Sequence, residues 1–250
     1  METISEFYYI NLDQRVERKK RLEARSKAVG LKNLTRYSGI TRQNDSRVDE
    51  LKASRASEMS FGAIGCVLSH YDLWCQAADS NARIYVQEDD LIYRKDFVEI
   101  INNLITFLDS KSKNSWHVIH LNPYFNQTPS KDLYNRPLEL NSFTWSTGAY
   151  VINPLAAKLL VRYWNLPRKG QSVSVGPKLL PADFVMSWLY EKFPGKSISY
   201  FPYPCIQDKL DSDIQPSDEV NKLENDYYYN QYGKVFRNFY DWTATTIDNN

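Results

Sequence analysis

From Phe7 to Phe201 short β-prone runs take turns with stretches of helical periodicity. A sheet must cover both of its apolar faces, and helices interleaved with strands do this. The alternation therefore predicts an α/β layer: a mostly parallel central sheet flanked by helices. The run Phe7-Tyr8-Tyr9-Ile10-Asn11-Leu12 reads as a buried first strand. Asp13 is expected to cap a charged helix that stops at Gly30, with Val16, Leu22 and Val29 as its thin apolar stripe. Leu34 to Tyr37 reads as a second strand, and residues 41–58 as a polar loop with a weak helical turn. Ile64, Val67, Leu68, Tyr71, Leu73 and Trp74 have helical spacing within Phe61 to Ala78, and Ile84-Tyr85-Val86 follows as a strand. Further along come a helix over Phe97 to Leu108, a strand over Trp116 to Leu121 and a loop over 122–141. A strand over Ser146 to Ile152 then precedes a helix from Pro154 to Tyr163, Pro being tolerated in a first turn. A loop over 165–180, a helix from Pro181 to Glu191 and a last strand over Ile198 to Phe201 complete the pattern, with a helical stretch around 217–230 beyond it.

A chain of 250 residues suits one such domain, and neither an internal repeat nor a linker interrupts it. The 31 Lys and Arg balance 30 Asp and Glu, so no whole-protein field favours nucleic acid or an anionic membrane. Three cysteines without zinc-finger spacing support neither a disulfide framework nor a structural zinc site. The N-terminus lacks the basic and apolar regions of a signal peptide, and no run approaches a membrane span. A soluble, cytoplasmic protein with at most peripheral membrane contact is expected.

The sharpest chemical signal is Ile84-Tyr85-Val86-Gln87-Glu88-Asp89-Asp90. Three adjacent carboxylates at the exit of a buried strand repel one another unless a cation neutralises them. Oxygen donors select hard ions such as Mg²⁺ or Mn²⁺. Open α/β sheets bind ligands beyond the carboxyl ends of their strands, where a metal can grip a diphosphate and stabilise a departing nucleotide. The plainer alternative is a solvated acidic turn with Asp90 capping the next helix, and for a triplet alone it is the commoner one.

Residues 61–90, with Gly62, Ile64, Gly65, Cys66, Leu68, Ser69, His70 and Trp74 ahead of Glu88-Asp89-Asp90, resemble glycosyltransferase family 25. That family includes lipooligosaccharide and collagen galactosyltransferases. Tyr9-Ile10-Asn11-Leu12 with Arg15 and Arg18 is similar to the family's opening segment. So are Gly148-Ala149-Tyr150-Val151-Ile152, Pro181-Ala182-Asp183, and Pro204-Cys205-Ile206-Gln207 with Ser212-Asp213-Ile214 to its later ones. Gln87 departs from the aliphatic residue usual before the triplet, and the loops 122–141 and 165–180 lie outside the resemblance.

The resemblance implies a GT-A glycosyltransferase fold over residues 1–215, Rossmann-like, with 216–250 as an extension packed on the same domain or partly flexible. It implies a metal-dependent inverting enzyme using Mn²⁺ or Mg²⁺. Such an enzyme moves a hexose, galactose ahead of glucose, from a UDP-sugar to a glycan acceptor of a surface polysaccharide or lipooligosaccharide. Hydroxylysine in a collagen-like chain is the second acceptor, and a non-catalytic UDP-sugar-binding module the alternative to an enzyme.

Glu88 and Asp90 would be the outer members of an Asp-x-Asp-like motif, with Asp90 the metal ligand and Glu88 or Asp89 reaching ribose or metal-bound water. Asn11, Leu12 and Arg15, at the exit of the first strand, would hold the nucleotide, since a helix N-terminus and an arginine suit a diphosphate. Arg18 reads as exposed helix surface. Ser69 and His70 would contact the donor, or His70 is a hydrogen-bonded core residue; Gly62 and Gly65 would allow close backbone approach or tight helix packing. Asp183 is the candidate general base, or an N-cap, or both. With no histidine after His120, the last metal ligand would be Gln207, an aspartate such as Asp213, or water. Trp145 and Tyr150 could stack on sugars or belong to the core, and Tyr227-Tyr228-Tyr229 would form surface packing, a lipid-proximal edge or an acceptor edge.

Overall fold

In the computed structural model, which describes residues 4–208 apart from 56–58, 112–115, 124–131, 133, 141–143, 145 and 173–178, strands and helices alternate as expected. The order is β1 (Glu6–Asn11), α1 (Val16–Ala28), β2 (Leu34–Ser38), α2 (Arg47–Arg55), α3 (Phe61–Ser80), β3 (Ile84–Glu88), β4 (Leu91–Tyr93) and α4 (Phe97–Lys111). There follow β5 (Val118–His120), β6 (Arg136–Glu139), β7 (Ala149–Ile152), α5 (Pro154–Trp164), α6 (Ala182–Lys192), β8 (Ser197–Phe201) and β9 (Cys205–Gln207). A seven-stranded sheet has the order β2-β1-β3-β7-β5-β8-β6. β1, β2, β3, β5 and β8 run one way, while β7 and the edge strand β6 run the other. The sheet is thus mostly parallel, with a reversed strand at its centre.

Successive side chains of a strand face opposite ways, and here each way leads into its own core. Ile84, Val86, Tyr150 and Ile152 join α2, α3, α5 and α6 on one side. Tyr85, Ala149 and Val151 join Leu22 of α1 and the α4 stripe Phe97, Ile101, Leu104, Ile105 and Leu108 on the other. Each fully buried aliphatic or aromatic side chain contributes about 1.5–3 kcal/mol.

Caps set where the helices begin and end. Ser60 Oγ accepts the Ala63 N–H at 3.1 Å to start α3, and Asn153 Oδ1 accepts the Ala156 N–H at 2.8 Å to start α5, where Pro154 occupies the first turn. Gly30, at φ +75°, follows the end of α1 in the left-handed region that glycine tolerates. Asp13 does not cap α1. Its carboxylate takes Arg36 at 2.5 Å and Ser38 at 2.8 Å instead, and Arg15 holds the N-cap position. Val16 is 51% exposed and so leaves the expected apolar stripe.

Other differences have local causes. Residues 41–58 contain α2, whose periodicity rests on only Val48 and Leu51, both fully buried; Arg47 beside them is buried by pairing with Asp45 and Asp72, each at 2.7 Å. The expected loop 122–141 contains β6, an edge strand that accepts Pro137 because no inner neighbour needs its N–H. β4 and β9, three residues each, pair antiparallel as a separate ribbon, so β8 is not the last strand. The segment before β7 is irregular, with Ser146 at φ +80°. The expected helix at 217–230 and the extension 216–250 lie outside the described residues.

Among the described residues no helix is long and apolar enough to cross a membrane.

Topology gathers distant segments at one end of the sheet. β1 and β3 are parallel neighbours, with Ile10 opposite Glu88, so Asn11 and the acidic triplet emerge together. β7 runs the other way, which brings its N-terminal approach through Thr147 and Gly148 to the same end; the Glu88 N–H donates to the Gly148 carbonyl at 2.8 Å. The β4–β9 ribbon places Gln207 opposite Leu91, one residue past the triplet.

Candidate active site

The three carboxylates meet three different environments. Asp89 is 8% exposed; it accepts Arg18 Nη1 at 3.0 Å and Asn11 Nδ2 at 2.7 Å. Burial raises its carboxyl above the ordinary range even so, because Asn11 and Arg18 only partly offset the lost hydration. Glu88 accepts Thr147 Oγ1 at 3.0 Å and Gln207 Nε2 at 3.2 Å, with His70 Nε2 at 3.5 Å. Burial works against its ionisation, but His70, Thr147 and Arg18 outweigh burial and hold it below the usual value. Asp90 receives only Gln207 Nε2, at 3.4 Å on Oδ2, and its buried Oδ1 meets no donor among the described residues. Burial first, then the charges of Glu88 and Asp89, push the Asp90 carboxyl well up. Without a cation, Glu88 is therefore the more acidic member of the pair and Asp90 the less acidic one.

The surroundings are rigid. Asn11 spends its amide completely: Nδ2 also donates to the Arg15 carbonyl at 3.1 Å, and Oδ1 accepts Arg36 Nε at 2.9 Å. The Leu12 carbonyl accepts the Arg15 N–H at 2.9 Å in the turn into α1. Arg25, 1% exposed, donates to Asp208 at 2.7 Å and to the Leu91 carbonyl at 3.3 Å, and the Asp208 N–H donates to the Asp90 carbonyl at 2.5 Å. This ties the segment after β9 to the acidic end. His70 is buried with Nδ1 at 2.9 Å from Tyr150 Oη, which also accepts Trp74 Nε1 at 2.9 Å. Tyr150 is thus a core residue. Gln87, also buried, accepts Tyr85 Oη at 2.5 Å and Tyr93 Oη at 2.8 Å.

Asp183 stands in the first turn of α6, where Pro181 holds the N-cap position. Its carboxylate accepts the Phe184 N–H at 2.9 Å and the Ser146 N–H at 3.3 Å. Burial raises its carboxyl, the two N–H groups only partly counter that, and Glu88 is near enough for its charge to add to the rise. Through Ser146, Asp183 is tied to the segment before β7, the same segment whose Thr147 reaches Glu88. A cleft of about 320 Å³, lined by Asp13, Gln14, Thr41, Gln43 and Asn44, opens at the exits of β1 and β2.

Several expected site residues sit elsewhere or act differently. Ser69 is 1% exposed; it donates to the Gly65 carbonyl at 2.8 Å and accepts the Ile40 N–H at 2.9 Å, which makes it a clamp between α3 and the segment after β2. A Cβ on Gly65 would run into the Ile40 carbonyl oxygen, so Gly65 permits that close approach, while Gly62 is exposed in the first turn of α3. Asp213, Trp145 and Tyr227-Tyr228-Tyr229 lie outside the described residues. Arg18, read from the sequence as surface, is instead the cation paired with Asp89. A signal for it existed: Arg18, Leu22, Arg25 and Val29 follow 3-4 spacing, so the stripe that buries Leu22 also carries two arginines inward. Thr147 had no comparable signal.

The chain is similar to known proteins over most of its length. A family model described as "Glycosyltransferase family 25 (LPS biosynthesis protein)" matches residues 4–186. "Procollagen galactosyltransferase 1-A" of Xenopus laevis is 25% identical over 229 residues, covering 86% of this chain and 35% of that protein. "Procollagen galactosyltransferase 1" of Danio rerio is 27% identical over 214 residues, covering 79% and 33%. "Inactive glycosyltransferase 25 family member 3" of Homo sapiens is 25% identical over 146 residues, covering 57% and 23%. The chain spans about a third of the length of the first two relatives.

Proposed function

The chain belongs to glycosyltransferase family 25, and from that premise we propose that it transfers a hexose from a UDP-sugar, galactose ahead of glucose, to a hydroxyl acceptor with inversion. The observation that carries the reading is the pair Glu88 and Asp90, bridged by Gln207, with Asp90 Oδ1 buried and unmet among the described residues. The two carboxylates, joined by the Gln207 amide oxygen once that amide turns over from donating its N–H groups to them, fit a hard divalent ion. Asp90, Glu88 and Gln207 would hold Mn²⁺ or Mg²⁺, whose charge would grip the donor diphosphate and stabilise the departing UDP.

The chain's own residues divide the remaining work. Arg18 neutralises Asp89, and Asp89 with Asn11 braces the exit of β1 beside the cleft that Asp13, Gln14, Thr41, Gln43 and Asn44 offer to a nucleoside. The α1 N-terminus, with Arg15 at its cap, adds a positive end suited to phosphate. Asp183 takes the proton from the acceptor hydroxyl as that oxygen bonds to the anomeric carbon and the bond from that carbon to the UDP oxygen breaks. Its raised affinity for a proton suits a general base. A single displacement of this kind inverts the anomeric centre.

For the acceptor, a glycan of a surface polysaccharide or lipooligosaccharide is the primary reading. The procollagen relatives favour hydroxylysine of a collagen-like chain as the second. A relative named inactive makes a non-catalytic UDP-sugar-binding module the competing class.

Thermal unfolding with UDP, with and without Mn²⁺, tests the reading. UDP at about 100 times its Kd should stabilise by about 2.7 kcal/mol, or roughly 5–10 °C in a domain of this size, and only with the metal present. A screen of UDP-sugars for slow hydrolysis then separates enzyme from binding module. No UDP stabilisation at any Mn²⁺ concentration would sink both.

A further inference from the structure

Cys66 and His70 lie four residues apart on α3 and so share one face of that helix. Cys66 Sγ, an imidazole nitrogen of His70 and a Glu88 carboxylate oxygen all fall within 4.8 Å of one another. His70 is completely buried, and because Nδ1 is engaged by Tyr150, Nε2 is the nitrogen left without a hydrogen bond. It lies 3.5 Å from Glu88 Oε1. A buried ring nitrogen without a hydrogen bond is costly, and Tyr150, held in turn by Trp74, fixes the ring in that orientation.

We propose that Cys66, His70 and Glu88 form a binding site for a thiophilic divalent cation, Zn²⁺ foremost, with a fourth position open to solvent or ligand. Sulfur, imidazole nitrogen and carboxylate oxygen are the zinc donor set, unlike the oxygen-only set at Asp90. Tetrahedral zinc with bonds of about 2.0–2.3 Å holds its ligand atoms about 3.5 Å apart, so side-chain rotations of about an ångström close the trio. Burial, then the charges of Glu88, Asp183 and Asp90, keep the Cys66 thiol protonated when no cation is bound. On binding, its proton leaves to solvent and the thiolate sulfur bonds the metal; thiolate and Glu88 together balance the two positive charges. Glu88 also belongs to the acidic cluster, so zinc here would withdraw one carboxylate from the donor site. That consequence rests on the proposed function; the site itself does not.

The test uses the full chain, metal-free and without nucleotide, titrated with Co²⁺. A thiolate-to-cobalt charge-transfer band and the visible bands of a four-coordinate ion are expected, discharged by one equivalent of Zn²⁺. Cys66→Ser should lose the charge-transfer band, whereas Cys75→Ser, a change on the same helix outside the trio, should retain it. If Cys66→Ser fails to fold, mass-mapped alkylation of the unaltered chain decides: Zn²⁺ must slow iodoacetamide at Cys66. No charge-transfer band in the unaltered chain, a band that survives Cys66→Ser, or alkylation of Cys66 indifferent to Zn²⁺ overturns the proposal. A band without UDP stabilisation would leave this site standing and remove the proposed function; the converse would remove only the site.

Discussion

Asp90→Asn should stabilise the metal-free protein while abolishing its response to UDP and Mn²⁺. Asp90 is the carboxylate with least compensation in the cluster, receiving only the long Gln207 contact. Gln207 Nε2 lies 3.2 Å from Glu88 and 3.4 Å from Asp90, so the bridged oxygens are within about 7 Å and, at an effective dielectric constant of about 20, repel by about 2.5 kcal/mol when both are ionised. Asparagine keeps the shape and removes the charge. Allowing for imperfect amide pairing, the gain near neutral pH should be about 2 kcal/mol, roughly 5 °C in Tm. The sign with pH follows from the direction of the shift. A carboxyl raised on folding contributes stability that is fully present below its unfolded pKa and is lost as pH rises through the folded value. The advantage of Asp90→Asn should therefore be largest at alkaline pH and shrink as the pH falls toward the ordinary carboxylate range. The assay is thermal unfolding in EDTA from acid to alkaline pH, repeated with UDP and Mn²⁺. A lower Tm for Asp90→Asn in EDTA at alkaline pH, or a gain that ignores pH, would refute the reasoning.

Other perturbations probe the remaining parts. Asp183→Asn should slow transfer by about 10²–10⁴-fold, as loss of a general base does, yet keep the Mn²⁺-dependent UDP stabilisation; equal loss of both would make Asp183 a binding residue. Arg18→Ala leaves Asp89 as a buried charge without its pair and should cost about 3–5 kcal/mol in urea unfolding, where a loss below about 1 kcal/mol would return Arg18 to the surface role its helix suggests. Gly65→Ala drives a methyl against the Ile40 carbonyl and should cost at least about 1–3 kcal/mol. Gly62→Ala, exposed on the same helix, should change stability by about 1 kcal/mol or less; equal effects at the two positions would show that the close approach at Ile40 is not what requires Gly65.

Much of the frame was legible because periodicity reports burial directly. The α4 stripe, the α3 pattern and the run into Glu88-Asp89-Asp90 each placed an element whose apolar face is the one observed. What escaped was short or polar. β4 and β9, at three residues each, are too brief for an alternation to register, and the apolar residues that α2 buries, Val48 and Leu51, stand among charged neighbours. In the site the residue types were readable but the pairings were not. Asp13 looks like an N-cap, and only the β1–β2 register reveals Arg36 and Ser38 waiting for it. Ser69 looks like a polar group aimed at a ligand, and only the approach of Ile40 turns it into a clamp. Thr147 precedes a strand whose reversed direction no local pattern encodes, yet that reversal is what delivers its hydroxyl to Glu88.

The charges at the sheet end explain why the proposed cation would be drawn to Asp90. Asp89 and Asp208 flank the cluster, and each has an arginine from the inward stripe of α1: Arg18 at 3.0 Å and Arg25 at 2.7 Å. These helix cations are fixed by the same packing that buries Leu22, so they cannot swing over to serve Glu88 or Asp90 without opening the core. Glu88 is stabilised by neutral hydrogen-bond donors and His70, and no cation pairs with Asp90 among the described residues. Of the two, Asp90 thus remains the carboxylate without compensation among the described residues, at the point where β3, β7 and β9 converge. A fold needing only stability would put a third arginine or an apolar residue there, because replacing buried ionic groups by well-packed apolar ones is often neutral or stabilising. Leaving Asp90 bare while compensating its neighbours is the arrangement expected if the proposed cation is part of the work.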